Sequence, residues 1–293
     1  MYYKVKRIIN WHIDKIRFNL YLYVLKQFGI NIVYNSKDNK SLSKKYFNVL
    51  YISESPAYAE GLGWFERDYE YDLEVSYRSK SSAKSIVSPG SIYPLVDVFC
   101  RKNSDVVESR DNEIVMILSE KQFLPGHVFR HEVFKEYKDD KIFDFYGKGA
   151  SRSIDDVSSV YRNSRYIVVI ENFKDEKYAS EKIYDAIWSG AVPIYYGATD
   201  KLKEDGFNLE GVIFIDDLSS LKKIVEEIKL NPIKIFNEKR KAIEFNCDLI
   251  NKIRSNAVES FIKNIVICQF VRAEEQYKTT SGDWGRYIPK KSD

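Results

Sequence analysis

From Ile114 onward, short apolar runs alternate with longer amphipathic ones, and this alternation constrains the fold more than any other feature of the chain. Ile114–Leu118, Ile142–Tyr146, Tyr166–Ile170, Val192–Tyr196 and Val212–Ile215 read as strands. His127–Tyr137, Asp156–Asn163, Ser180–Ser189 and Leu218–Leu230 read as helices between or after them. Strands that are apolar throughout and joined by helical crossovers belong to a parallel sheet covered on both faces. The predicted class is α/β.

The first part of the chain is less regular. Ile9, Ile13, Ile16, Leu20 and Val24, spaced by three and four, predict an amphipathic helix over 9–26 that ends at Gly29. Ile30–Tyr34 and Phe47–Ile52 read as strands, the second broken by Ser53-Glu54-Ser55-Pro56. Leu73–Tyr77 reads as a third strand, opening at Arg78 into the Ser/Lys-rich SKSSAKSIVSPGS. Residues 101–113 are polar and lack an apolar period, which makes them the expected domain boundary. The expected division is 1–112, 113–275 and a weakly structured tail, 276–293. After Pro232 the pattern is helical or polar.

Forty-six Lys and Arg against 43 Asp and Glu leave a net charge of +3. That balance argues against binding nucleic acid by bulk charge. Cys100, Cys247 and Cys268 are scattered and form no CxxC pair, so neither a zinc knuckle nor a disulfide framework is readable. No apolar run approaches the roughly 18–20 residues that cross a bilayer. The start, MYYKVKRIINWHIDK, lacks the apolar stretch of a secretory signal. A cytoplasmic protein is expected. Lys15, Arg17 and Lys26 on the first helix, and Arg286, Lys290 and Lys291 in the tail, are the basic groups that would serve a peripheral contact with the inner membrane face.

The chemistry concentrates in Tyr166–Gly197, YIVVIENFKDEKYASEKIYDAIWSGAVPIYYG, which reads as strand, polar loop, helix, glycine turn and strand. Ligands of open α/β sheets bind beyond the carboxyl ends of the strands, where Glu171 and Asn172 stand. Ser180 is a credible helix cap, with Glu181 and Lys182 in the first turn. Ile183, Ala186, Ile187 and Gly190 form one face, directed at the sheet. A capped helix start offers free N–H groups and partial positive charge to phosphate oxygens. Lys182 adds a full charge, and a carboxylate such as Glu181 can accept both hydroxyls of a ribose. The pattern suits a nucleoside diphosphate.

Glu171-Asn172, Tyr178, Glu181-Lys182, Ala186-Ile187, Gly190 and Val192-Pro193-Ile194-Tyr195-Tyr196-Gly197 together resemble the donor-binding signature of the family-10 fucosyltransferases. Those enzymes move L-fucose from GDP-fucose, mostly to O3 or O4 of N-acetylglucosamine or glucose units. Ala179-Ser180 stands where the family usually has Val-Thr, which keeps the hydroxyl cap. Leu50-Tyr51-Ile52-Ser53-Glu54-Ser55-Pro56 and Val75-Ser76-Tyr77-Arg78-Ser79 are similar to two N-terminal elements of the family. His127–Tyr137 followed by Phe145-Tyr146-Gly147-Lys148-Gly149 is similar to its Arg-bearing helix and the turn beyond it. Lys80, Ser81 and Ser82 depart from the family, which has acidic residues there.

The resemblance implies a GT-B fold: two Rossmann-like domains facing across a cleft, the first for the acceptor and the second for GDP-fucose. It also implies inversion at the fucose carbon, a glycan acceptor on a surface polysaccharide or glycolipid, lipid-linked acceptors included, and a soluble form of bacterial or viral type. The donor is a substrate, and no cofactor is expected. Single displacement needs a base opposite the leaving group. By its residues alone Glu54 is equally a loop carboxylate; the resemblance makes it the expected base. Arg130 and Lys182 are expected to meet the diphosphate, with Arg130 off the Phe129, Val133, Tyr137 face and free to reach a ligand. Glu181 is expected to hold the ribose, Asn172 and Tyr178 to position sugar or phosphate, Ser180 to cap the helix, and Glu171 to contact the donor. Tyr195 and Tyr196 also read as plain core residues.

His127 and His131 share a helix face but lack the HExxH pattern, and Asp155-Asp156 and Asp216-Asp217 precede helices as caps do. No metal is therefore expected. The alternatives to fucosyl transfer are a transferase of the same fold using another nucleotide-sugar and a non-catalytic glycan-binding protein.

Overall fold

The structure is a computed structural model that describes residues 23–34, 45–52, 54–65, 71–77, 85–87, 112–152, 154 and 157–252. The chain divides into compact units Met1–Arg254 and Ser255–Asp293, and every described residue lies in the first. Most of the expected boundary at 101–113, and the whole of the tail, fall outside the described residues.

Four parallel strands build one sheet in chain order: β1 (Ile30–Tyr34), β2 (Phe47–Tyr51), β3 (Leu73–Ser76) and β4 (Ser85–Val87). Residues 23–27, helix α1, precede it. The remainder of the expected first helix lies outside the described residues; Val24, assigned to its apolar face, is 41% exposed while Leu25 is buried. Ser53-Glu54-Ser55-Pro56 does more than break β2. Helix α2 (Pro56–Gly61) starts there, with Pro56 in the first turn and the Ser55 side chain accepting from Tyr58 N. Proline loses nothing at a helix start, where its missing N–H would have no partner. β4 is likewise unexpected: it falls within the Ser/Lys-rich stretch and pairs in parallel with β3.

The second sheet has five parallel strands in the order β6-β5-β7-β8-β9: β5 (Asn112–Ile117), β6 (Phe143–Tyr146), β7 (Ser164–Ile170), β8 (Val192–Tyr196) and β9 (Ile213–Phe214). Helices α3 (Pro125–Tyr137), α4 (Val157–Arg162), α5 (Glu181–Trp188), α6 (Thr199–Glu204) and α7 (Leu218–Leu230) follow successive strands. Residues 232–252 form α8. All seven residues of β7 are buried. Tyr166, Val168 and Ile170 enter one core with Phe129 and Val133 of α3 and Leu221, Val225 and Ile228 of α7. Ile167 and Val169 enter the opposite core with Ile183, Ala186 and Ile187 of α5. Side chains alternate across a strand, so a strand covered on both faces must be apolar at every position. Each fully buried aliphatic side chain here contributes about 1.5–3 kcal/mol.

Two parallel sheets flanked by helices agree with the α/β, GT-B class that the resemblance implies. No helix among the described residues is long and apolar enough to cross a membrane.

The strand order reverses between β6 and β7, on the two sides of β5. In such sheets the carboxyl ends of the strands flanking the reversal open a crevice. Two glycines let other segments close on these ends. Gly147, after β6, has φ +101°, and a Cβ there would stand 2.3 Å from the Leu118 carbonyl oxygen. Gly126, in the first turn of α3, donates its N–H to the Asn172 carbonyl at 2.9 Å. A Cβ on Gly126 would stand 1.7 Å from the Glu171 carbonyl oxygen. Gly126→Ala should therefore push α3 off β7 and cost about 1–3 kcal/mol by urea denaturation; an unchanged midpoint would contradict this packing. Gly190, expected on the sheet-facing side of α5, instead lies beyond the helix end with φ +75°.

Candidate active site

β7 ends at Ile170, and Glu171 and Asn172 follow at the crevice. Glu171 is wholly buried. One carboxylate oxygen accepts from Ser180 N at 2.9 Å and from the Tyr195 hydroxyl at 3.2 Å, and the other accepts from Ser180 Oγ at 2.6 Å. Burial raises its pKa, while Lys182 and the Ser180 hydrogen bonds oppose the rise. Glu171 was expected to touch the donor. Its carboxylate is instead enclosed and fixes the segment that begins α5, because a buried charge must be met by local donors. The Tyr195 hydroxyl, between Glu171 and the Ala198 N–H at 3.2 Å, completes this anchor.

Ser180 caps α5 as expected, its Oγ accepting from Lys182 N at 3.4 Å. The Lys182 ammonium reaches Ser180 Oγ at 3.2 Å and Glu181 Oε1 at 2.6 Å. Burial works against the charge on Lys182, but Glu181 and Glu171 outweigh it and hold its pKa above the ordinary lysine value. Its side chain is still 34% exposed, so the ammonium sits at the rim of the crevice.

Arg130 differs from expectation. It is buried, and its guanidinium donates to the Ile170 carbonyl through Nε at 2.9 Å and through Nη2, which also reaches Asn172 Oδ1 at 2.7 Å. The side chain leaves α3 over the end of β7, where the last strand carbonyl needs a donor. Only Nη1 has no hydrogen-bond partner among the described residues. Asn172 thus serves Arg130 first. His127 lies beside both, hydrogen-bonded to Asn172, with Nδ1 accepting from Leu124 N at 3.3 Å.

Burial, together with the charges of Arg130, Lys121 and Lys182, lowers the His127 pKa to about 4. Unfolded, this ring takes a proton near pH 6.5; folded, it stays neutral until about pH 4. Between those values the unfolded chain alone gains the proton, so stability falls with falling pH. Solvent screening limits the loss to about 1–2 kcal/mol. Urea midpoints of the wild type and His127→Gln should converge from pH 7 to pH 4; a constant gap would contradict a neutral, cation-flanked His127. His131 is engaged elsewhere, its Nε2 at 2.9 Å from the Ser119 carbonyl oxygen. Asp217 is a cap as expected, accepting from Ser220 N at 2.7 Å, whereas Asp216 pairs with Lys174 at 2.6 Å. Asp155 and Asp156 lie outside the described residues.

The first sheet reaches this cluster through Tyr77. Its hydroxyl donates to the Ala179 carbonyl at 3.3 Å, and its ring meets Tyr178 edge-on at 4.9 Å. Tyr178 is buried, which together with Glu171 lifts its phenol pKa well above the ordinary value. Its hydroxyl has no hydrogen-bond partner among the described residues. Glu54 stands just beyond β2, before the Ser55 cap. Burial raises its pKa; Lys182 and Lys121 pull it down, and Glu181 and Glu171 push it up. A carboxylate just beyond the first sheet's second strand therefore lies within electrostatic reach of the α5 start and of Lys121.

Of the expected residues, Glu54, Arg130, Glu171, Asn172, Tyr178, Ser180, Glu181 and Lys182 gather in one region. Tyr77, His127 and Tyr195 join them without having been assigned a part. The arrangement combines a raised-pKa carboxylate, Glu54, with a capped helix start, an ammonium and one guanidinium nitrogen that has no partner among the described residues. It can hold a diphosphate and take a proton from a hydroxyl facing it.

Residues 107–234 match the family model described as glycosyltransferase family 10 (fucosyltransferase), C-terminal. No match was found among curated proteins. A crystal structure of an alpha1,3-fucosyltransferase is similar at 12% identity over 81% of this chain and 77% of that one, with a TM-score of 0.49. A crystal structure of alpha1,3-fucosyltransferase with GDP is similar at 11% identity over 77% and 78%, with a TM-score of 0.48. The glycosyltransferase SnogD from Streptomyces nogalater is similar at 11% identity over 73% and 56%, with a TM-score of 0.30. The matched span contains α3, β7 and α5, and hence Arg130, Glu171 and Lys182. Residues 107–234 are thus similar to the C-terminal domain of glycosyltransferase family 10, the fucosyltransferases.

Proposed function

We propose that the protein is an inverting fucosyltransferase that moves L-fucose from GDP-fucose to O3 or O4 of a glycan acceptor, such as an N-acetylglucosamine or glucose unit. The observation that supports this reading most is the gathering of Lys182, Arg130 and the Ser180-capped start of α5, with Glu54 within electrostatic reach of Lys182.

The acceptor hydroxyl attacks the anomeric carbon of fucose from the Glu54 side and gives its proton to the Glu54 carboxylate. The bond from that carbon to the β-phosphate oxygen breaks, and its electron pair leaves with GDP. Charge accumulates on the diphosphate as the bond lengthens. Lys182, Arg130 Nη1 and the first N–H groups of α5 are set to receive it without reorganising, which is where fixed dipoles and charges lower a barrier most. Glu181, in the first turn of α5, is placed to accept from ribose hydroxyls. Glu171 and Asn172 act as positioning residues, holding Ser180 and Arg130 respectively.

Incubation with GDP-fucose and a mixed glycan acceptor should release GDP and give a fucosylated product by mass spectrometry, with inverted anomeric configuration by NMR. If GDP-fucose is neither bound nor consumed, this reading is wrong.

A further inference from the structure

Two lysines act on Glu54: Lys182 from α5 and Lys121 from the segment between β5 and α3. Lys182 is already committed. It bonds Ser180 Oγ and Glu181 Oε1, and in the proposed reaction it meets the diphosphate. Lys121 makes no hydrogen bond or ion pair among the described residues. Its ammonium stands instead over two rings, 5.5 Å from the Tyr58 centroid and 5.9 Å from that of Phe123.

The two rings hold each other. They stack with centroids 5.8 Å apart and planes at 28°. Trp64 braces Tyr58 edge-on at 6.1 Å, and His127 braces Phe123 edge-on at 4.7 Å. An electron-rich ring face attracts a cation that lies within about 6 Å of its centroid. A lysine stem is flexible, so contact with two rings limits where its charge can go. The same contact gives Phe123, which is 59% exposed, a task at the surface. The rings also stand next to the candidate base. Glu54 precedes Ser55, the cap of α2, and Tyr58 lies in the first turn of that helix.

We propose that the Tyr58–Phe123 ring pair clamps the Lys121 ammonium beside Glu54, as the counter-charge that keeps this base ionised while the diphosphate occupies Lys182. Lys121 is then a positioning residue acting through Glu54, and its part in catalysis rests on the fucosyl-transfer reading. The groups around Glu54 give the sign. Burial raises its pKa; Lys182 and Lys121 lower it, and Glu181 and Glu171 raise it. Tyr178, also within reach, is held neutral by its own burial. A bound diphosphate offsets the charge of Lys182 and so drives Glu54 toward protonation. Lys121 is the cation left to oppose this.

The first measurement is an NMR titration of the glutamate carboxyl carbons in the full chain, with the Glu54 signal assigned by its loss in Glu54→Gln. It needs no substrate. Glu54 should titrate at higher pH in Lys121→Met than in the wild type, Lys121→Arg should follow the wild type, and Phe123→Leu should fall between Lys121→Met and the wild type. The second measurement is the rate against pH with GDP-fucose and acceptor. On the acid limb Lys121→Met should be about three- to ten-fold slower than the wild type, with the gap closing as pH rises. A Glu54 titration unmoved in Lys121→Met, or one that is the same in Phe123→Leu as in the wild type, overturns the clamp. A shifted titration in a protein that does not consume GDP-fucose keeps the clamp and removes the fucosyl-transfer reading, so the two failures are distinct.

Discussion

Replacing Glu54 with glutamine should lower the turnover of GDP-fucose in the presence of acceptor by about 10²–10⁴-fold, the usual range for a positioned general base, while GDP affinity stays as in the wild type. Glutamine keeps the shape and the hydrogen-bonding reach of glutamate but cannot take a proton. Burial holds the Glu54 pKa above the ordinary 4.5, and Lys182 and Lys121 keep it from rising further. A base must be ionised to act, so the rate should fall as pH drops through the Glu54 pKa. That acid limb should lie above pH 4.5 in the wild type and vanish in Glu54→Gln. Steady-state rates over pH 4–9 measure both effects. A variant with wild-type turnover, or with the same acid limb, would remove Glu54 from the chemistry.

Glu171→Leu should cost about 3–5 kcal/mol, the range for removing one member of a buried charged network. The loss leaves Ser180 N, Ser180 Oγ and the Tyr195 hydroxyl without their buried acceptor. It also removes an anion that supports the charge on Lys182 and Arg130. Glu171→Gln, which keeps one acceptor oxygen, should lose less. Urea denaturation gives the order wild type, Gln, Leu; equal midpoints for all three would mean that the carboxylate does not anchor α5. Catalysis should follow stability only indirectly, because Glu171 acts through Ser180 and has no surface open to a ligand.

The second sheet was legible because its strands carry a signal that needs no long-range information. β7 and β8 are apolar at nearly every position, and Ser180 before Glu181-Lys182 is a local cap pattern. Three failures share another cause, in that local chemistry was ambiguous. Ser53-Glu54-Ser55-Pro56 has the residues of a turn and of a helix start, and in the structure Ser55 and Pro56 make a helix start. β4 is three residues long, and its pairing with β3 makes it a strand. Gly190 fits a helical period but lies two residues past the helix end.

At the site, the sequence marked residue types and left their partners open. Arg130 bonds the end of a strand 40 positions away, and Tyr77 bonds Ala179 across 102 positions. No periodicity reports such contacts. Helical spacing rightly took Arg130 off the apolar stripe of α3, but it could not show that β7 ends beneath that side chain. The burial of Glu171 has the same origin, since Tyr195 and Ser180 close over it from separate segments. Gly126 had a readable neighbour in Pro125 but no sign that a carbonyl would press against it.

The start of α5, with Lys182, is expected to grip the diphosphate of a guanosine nucleotide. Calorimetric titration of GDP into the wild-type protein and Lys182→Ala tests it directly, with UDP as the control. GDP should bind the wild type, UDP should bind more weakly, and Lys182→Ala should weaken GDP by about 10–100-fold, the worth of one charge-assisted contact. Equal GDP affinity in the two proteins, or no GDP binding to the wild type, would contradict it.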